Sequence, residues 1–122
     1  MDCSNQYWEF VRLLRMNPKV IDGFIQTTQI TKDMQIDYMK KYSENYKICL
    51  YNETPVGYVG CIDNDMRYCV DPEWQGRSIG TFMLQEAKKI WPNGFCKIKI
   101  DNIASQKIAE KCGYKQKYII YE

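Results

Sequence analysis

The sequence predicts a single α/β (α+β) domain over residues 1–122, in three layers, with a mixed sheet and helices on both faces. Three observations carry this. Val56–Asp63 and Met66–Val70 are β-rich runs joined at Asn64-Asp65, residue types that tolerate the left-handed angles of a tight hairpin. Apolar residues at Ile79, Phe82, Met83, Ala87, Ile90 and Trp91 repeat at helical spacing. The patterns follow the order ααα βββ α β α β, with no internal repeat, low-complexity tract or linker.

Each element has its own signal. Ser4 to Met16 reads as a helix capped by Ser4, with Tyr7, Trp8, Val11 and Leu14 on one face. Asn17-Pro18 ends it, because the residue before proline avoids helical angles. Lys19–Phe24 forms a short second turn closed near Gly23. Thr31 caps the third helix, Asp33 suits its dipole, and Met34, Tyr38, Met39 and Tyr42 mark a face that ends near Tyr42. Tyr46–Tyr51 is a strand and Asn52-Glu53-Thr54-Pro55 a turn. In the hairpin that follows, the expected register sets Cys61 opposite Tyr68 and Cys69 opposite Gly60, so the two thiols face opposite sides of the sheet. After the Ser78–Trp91 helix, Pro92-Asn93-Gly94 turns the chain into a strand over Phe95–Asp101 with one wet face. Ile103–Lys111 is a helix capped by Asn102 and stopped at Gly113, and Tyr114–Tyr121 is a last strand.

Composition narrows the chemistry. No apolar run approaches bilayer thickness, and Met-Asp-Cys-Ser-Asn-Gln at the start lacks the features of a signal peptide, which points to the cytoplasm and away from membranes. The six cysteines then read as free thiols, with Cys49, Cys61, Cys69 and Cys96 each inside an apolar strand-like run. Without histidine or a Cys-x-x-Cys pair, no metal site is expected, and any general base is a carboxylate, tyrosine, thiolate, neutral amine or water. The net charge of +2 is uneven: from Lys88 onward eight lysines face Asp101, Glu110 and Glu122. This basic third suits an anionic ligand or is a solvated surface. The lysines are dispersed and match no nucleic-acid-binding motif.

The stretch Val70–Thr81 organises the rest. Pro72 cannot donate to a ladder, so the strand stops near Asp71. Gly76 and Gly80 permit a sharp turn and close approach before the helix starts. A loop entering a helix leaves several N–H groups unpaired and pointing one way, an arrangement that attracts phosphate. No Gly-Lys-Ser/Thr follows, so this is not a nucleotide-triphosphatase loop, and the glycine spacing differs from the dinucleotide fingerprint.

Gln75-Gly76-Arg77-Ser78-Ile79-Gly80 resembles the acyl-CoA pyrophosphate loop of the GNAT superfamily of N-acetyltransferases, Gln/Arg-x-x-Gly-x-Gly/Ala. Asn102-Ile-Ala-Ser105, then Ile108-Ala-Glu-Lys-Cys-Gly113-Tyr114, is similar to that family's Asn-x-x-Ala/Ser…Glu-Lys-x-Gly-Phe/Tyr segment. The two blocks cover about Val56 to Tyr118. The resemblance implies a mixed, mostly antiparallel sheet and direct transfer of an acetyl group from acetyl-CoA to a primary amine, on a small molecule or a peptide. It implies that backbone groups around Cys69 and Val70 pair with the pantetheine arm, which lies where the strand splays from Phe95–Asp101. It implies further that Gln75, Gly76, Arg77, Ser78, Ile79, Gly80 and Thr81 hold the pyrophosphate, with Asn102 and Ser105 assisting.

Two positions depart from the family pattern. Ser78 stands where glycine is usual, and Ala109 where many members carry the tyrosine that protonates the leaving thiolate. The acid is then Tyr114, Tyr118 or water. Asp63 and Asp65, near the hairpin, are the candidate bases, each also readable as a strand-end or turn residue. Both ends look trimmed against the family core, which leaves completion by a second subunit, a homodimer, open. The alternative function is a non-catalytic acyl-CoA-binding or protein-interaction module on the same fold.

Overall fold

The computed structural model describes residues 1–21 and 29–122. Its helices are α1 (Trp8–Arg15), α2 (Pro18–Ile21), α3 (Lys32–Tyr42), α4 (Ile79–Ile90) and α5 (Ile103–Lys111). Its strands are β1 (Tyr46–Tyr51), β2 (Thr54–Ile62), β3 (Asp65–Val70) and β4 (Phe95–Cys96). They form one sheet in the order β1-β2-β3-β4, antiparallel except for the parallel β3–β4 pair. The expected closure of α2 at Gly23 lies outside the described residues.

Alternation along the strands assigns the two faces. On one face, Val11 and Leu14 of α1 and Met39 of α3 pack on Tyr46, Ile48, Tyr58 and Cys69. On the other, Ala87 of α4 packs on Val59, Cys61 and Met66, with Tyr68, Trp91 and Cys96 around them. Three layers with helices on both faces match the expectation. The polar member of the first layer is Gln35, buried on α3 one turn before Met39, with its amide donating to Trp8 C=O at 2.8 Å. The buried stripe of α4 is Gly80, Met83, Leu84 and Ala87, and the expected face members Phe82 and Ile90 are exposed. The helical periodicity is right, but two of the apolar residues, one near each end of the helix, face water.

Both hairpin turns place two residues at positive φ, Asn52-Glu53 and Asp63-Asn64, as two-residue type I′ turns require. The second turn therefore sits one residue earlier than expected. Cys61 pairs with Met66, Cys69 with Tyr58 and Gly60 with Arg67. The parity of the ladder is kept, so Cys61 and Cys69 still occupy opposite faces, and all six cysteines are free.

Both chain ends differ from the pattern reading. Ser4 caps only a short 3-10 turn, Asn5–Tyr7, and does so without a side-chain bond. Met1 exchanges hydrogen bonds with Ile48, N–H to O at 3.1 Å and O to N–H at 2.8 Å, and Asp2 bridges Lys47. Met1–Cys3 thus covers the β1 edge as a fragment of strand. At the other end, β4 is two residues long rather than Phe95–Asp101, and Tyr114–Tyr121 is not a strand. Its ladder stops at Met66–Cys96, so the tail finds no edge to pair with, and Tyr118 is 86% exposed.

Gly60 lies across from Tyr46, and a Cβ there would sit 2.5 Å from the Tyr46 ring. That ring is 2% exposed, and its hydroxyl lies 2.7 Å from Tyr38 Oη. Gly60→Ala should lower stability by about 1–3 kcal/mol through overpacking, measured by urea unfolding.

Candidate active site

The divergence of β3 and β4 opens the candidate site. The two strands pair only at Asp65–Phe95 and Met66–Cys96. Beyond that point they separate, and a cleft of about 1030 Å³ runs between them from α1 to the start of α4. Hydrogen-bond directions alternate along a strand. Asp71 N–H bonds to Val56 C=O of β2, whereas Asn64 C=O accepts from Phe95 N–H on the β4 side. Even-numbered residues of β3 therefore point their backbone groups at β4. For Tyr68 and Val70, β4 has already left, and their peptide groups face the cleft. The expectation named Cys69 and Val70, but the pairing gives Cys69 to β2 and Tyr68 to the cleft. Cys69 lines the cleft by its side chain.

At the far end, Asp71 caps a short turn at Glu73 N–H, and the chain swings through Gln75 and Gly76 into α4. Gly76 has φ +82° with nothing within 4 Å of a Cβ position, open space beside a backbone that favours glycine. Ser78, the N-cap, adopts φ 63° and makes no side-chain cap bond. A left-handed residue here explains why glycine is usual, and Ser78 occupies the position with strain on the order of 1 kcal/mol. The first backbone bond is Phe82 N–H to Ser78 C=O at 3.1 Å, so the N–H groups of Ile79, Gly80 and Thr81 have no helical partner. Gly80 packs tightly, with a Cβ there 3.1 Å from Ile108 Cδ1 of α5.

Of the expected ligand residues, Cys69, Val70, Gln75 and Gly76 line the cleft, as do Ser78, Ile79, Gly80 and Thr81. Asn102 and Ser105 join them from α5. Asn102 caps that helix, its side-chain oxygen accepting from Ser105 N–H at 3.2 Å, which leaves its NH₂ without a partner among the described residues. Arg77 does not line the cleft but lies over the Trp74 ring at 4.8 Å.

The expected catalytic residues separate. Asp65, the first residue of β3, lines the cleft, with its carboxylate 3.6 Å from Lys97 Nζ and 3.9 Å from Arg67 Nη2. Asp63 is exposed in the turn, outside the cleft. Tyr114 lies behind α4, under the Lys88 ammonium. Its hydroxyl is buried without a partner, burial pushes its pKa up to about 12, and it does not line the cleft. Ala109 is buried.

One residue was missed. Tyr68 lines the cleft from the α4–α5 face. Its hydroxyl is buried beside Ser105, short of a proper hydrogen bond, and has no partner. Burial raises its pKa, against a smaller opposing effect of Ser105. The signal in the sequence was parity: Met66, Tyr68 and Val70 share a face, and Tyr68 becomes a cleft residue only once β4 departs.

A splayed parallel strand pair feeding the unpaired N-terminus of a helix offers strand-like backbone pairing at one end and anion-binding N–H groups at the other. The family comparison makes this specific. Residues 8–114 match the model of the acetyltransferase (GNAT) family, and the chain belongs to that family. The fold is shared with solved structures at low identity. Spermidine N-acetyltransferase from Vibrio cholerae, in complex with CoA and spermine, aligns over 100% of this chain and 83% of its own, with TM-score 0.81 and 13% identity. A domain from Methanocaldococcus jannaschii aligns over 96% and 87%, with TM-score 0.79 and 20% identity. An aminoglycoside acetyltransferase from an uncultured soil metagenomic sample, in complex with sisomicin, aligns over 97% and 88%, with TM-score 0.67 and 13% identity. No curated protein matches the sequence. Among the described residues, no helix is long and apolar enough to cross a membrane.

Proposed function

We propose that this chain is an acetyl-CoA-dependent N-acetyltransferase that moves the acetyl group directly to a primary amine. The observation that supports it most is the pairing of two sets of free backbone groups, those of Tyr68 where β4 leaves β3 and the N–H groups of Ile79, Gly80 and Thr81 at the α4 N-terminus. The peptide groups of Tyr68 and the N–H of Val70 would pair with the amides of the pantetheine arm, as a strand would, while Val70 C=O already accepts from Gln75 Nε2 at 3.4 Å. The N–H groups of Gly76–Thr81 would take the pyrophosphate with fixed dipoles that carry no desolvated charge of their own. Asn102 would add its free NH₂ to the arm.

The chemistry needs a neutral amine, because an ammonium has no lone pair and alkyl amines are mostly protonated at neutral pH. Asp65 lines the cleft at the start of β3, where the strands diverge, and would take that proton, directly or through water. As the amine adds to the thioester carbonyl and the C–S bond breaks, the electron pair leaves on sulfur, and the second proton released from nitrogen passes through water to the departing thiolate. Tyr68 would donate a hydrogen bond to that sulfur. A phenol raised above its usual 10 does not hand its proton fully to a thiolate of pKa about 8.5, so stabilisation rather than complete transfer is its part.

Asp65→Asn should lower kcat/KM roughly a hundredfold at neutral pH. The deficit should shrink as pH rises, because the amine then loses its proton to solvent. Asp63→Asn, in the exposed turn, should leave the rate unchanged. Release of free CoA thiol across an amine panel tests the proposal. The second reading, CoA binding without turnover, is favoured by Ala109, which removes the usual tyrosine. Acetyl-CoA binding with no thiol release from any amine would support that reading.

A further inference from the structure

The amine-side end of the cleft is basic. Four cations line the cleft, Arg15, Lys19, Arg67 and Lys97, against two acids, Asp65 and Asp101. Asp65 is engaged by Lys97 and Arg67, and Asp101 directly precedes the cap of α5. Arg15 and Lys19 have no carboxylate partner among the described residues. Arg15 and Arg67 converge on one pair of phenols: the Arg15 guanidinium lies 5.8 Å from the Tyr38 ring centroid, and Arg67 Nη1 donates to Tyr38 Oη at 3.4 Å. Tyr38 Oη in turn lies 2.7 Å from Tyr46 Oη. Burial holds Tyr46 neutral, so Tyr46 supplies no negative charge to either arginine.

These cations are poorly placed for the phosphates of CoA. Arg67 precedes the end of β3 by three residues, about 10 Å along the strand from the loop that leads into α4. It lies on the face of Cys69 and Asp65, toward α1 and α3. A polycation would meet the positive charge of Arg15 and Lys19 here, with few carboxylates among the described residues to offset it. The two neighbours solved with spermine and sisomicin hold ligands of the opposite charge from the one this surface favours.

We infer that the acceptor is a small amine that also carries an anionic group, phosphate or carboxylate, held by Arg15, Lys19 and Arg67 while the amine reaches the divergence of β3 and β4. This rests on the proposed acetyl transfer. Charge-assisted bonds to guanidinium fix the anion, and the lack of free carboxylates among the described residues at this end disfavours a second cation.

The test uses matched pairs on the full chain: O-phosphoethanolamine against ethanolamine, and γ-aminobutyrate against 4-aminobutyramide, with spermidine as the polycation. Affinity is read by ligand-observed NMR on the CoA-loaded protein, and turnover by thiol release. The member of at least one pair that carries the anionic group should bind roughly tenfold more tightly than the partner without it, and more tightly than spermidine. The phosphate and carboxylate pairs tell the two anions apart. Arg15→Gln and Lys19→Gln should each shrink the preference while acetyl-CoA affinity stays the same. Equal binding within both pairs, no binding by any of the five amines, or preference for spermidine, in a protein that binds CoA, overturns the inference alone. A protein that does not bind acetyl-CoA overturns the proposed function with it.

Discussion

Gly80→Trp should weaken acetyl-CoA binding by roughly a hundredfold or more, about 2.7 kcal/mol at that lower bound. Gly80 is buried in the first turn of α4, where an added Cβ would lie 3.1 Å from Ile108 Cδ1 and 3.6 Å from Val70 Cγ2. An indole cannot fit between these neighbours and must turn toward the cleft, across the free N–H groups of Ile79, Gly80 and Thr81. Gly80→Ala meets only the tip of a flexible side chain and should retain most of the affinity. Phe82→Trp, on the exposed side of the same turn, should retain all of it. Circular dichroism and thermal unfolding on the three variants separate a blocked site from a lost fold.

Tyr68→Phe should lower kcat by roughly 10- to 100-fold, with acetyl-CoA affinity unchanged. The substitution keeps the ring and its packing and removes one hydroxyl. That hydroxyl has no protein partner, so stability should hold or rise slightly, since a buried unpaired donor is itself a cost. Loss of activity with retained stability is the signature of a group that works only in the transition state. A parallel loss of stability would mean instead that Tyr68 is a core residue. Tyr114→Phe, outside the cleft, is the comparison and should leave kcat unchanged.

The parts of this site that were legible in the sequence are those set by backbone chemistry. Pro72 ends a strand, Gly76 takes φ +82°, and Asn102 caps α5, each a local rule that its neighbours do not override. The hairpin register was less legible. Asp63-Asn64 and Asn64-Asp65 both suit a type I′ turn, and only pairing along the whole of β2 and β3 chooses between them. The choice matters, because it puts Asp65 at the start of a strand beside the cleft and Asp63 in the solvent. The ends of the sheet were illegible for a different reason. Phe95–Asp101 alternates as a strand does and Tyr114–Tyr121 ends in a β-rich run, yet a strand exists only where an edge is available, and β4 leaves β3 after Cys96. That departure also exposes Tyr68, so the missed strand and the missed residue share one cause.

Calorimetric titration of the wild-type protein with acetyl-CoA tests the central claim most directly. The cleft between β3 and β4 predicts saturable one-to-one binding with a Kd of about 1 μM to 1 mM, the range in which enzymes commonly hold their substrates. No heat of binding, and no protection against thermal unfolding at several millimolar ligand, would contradict it.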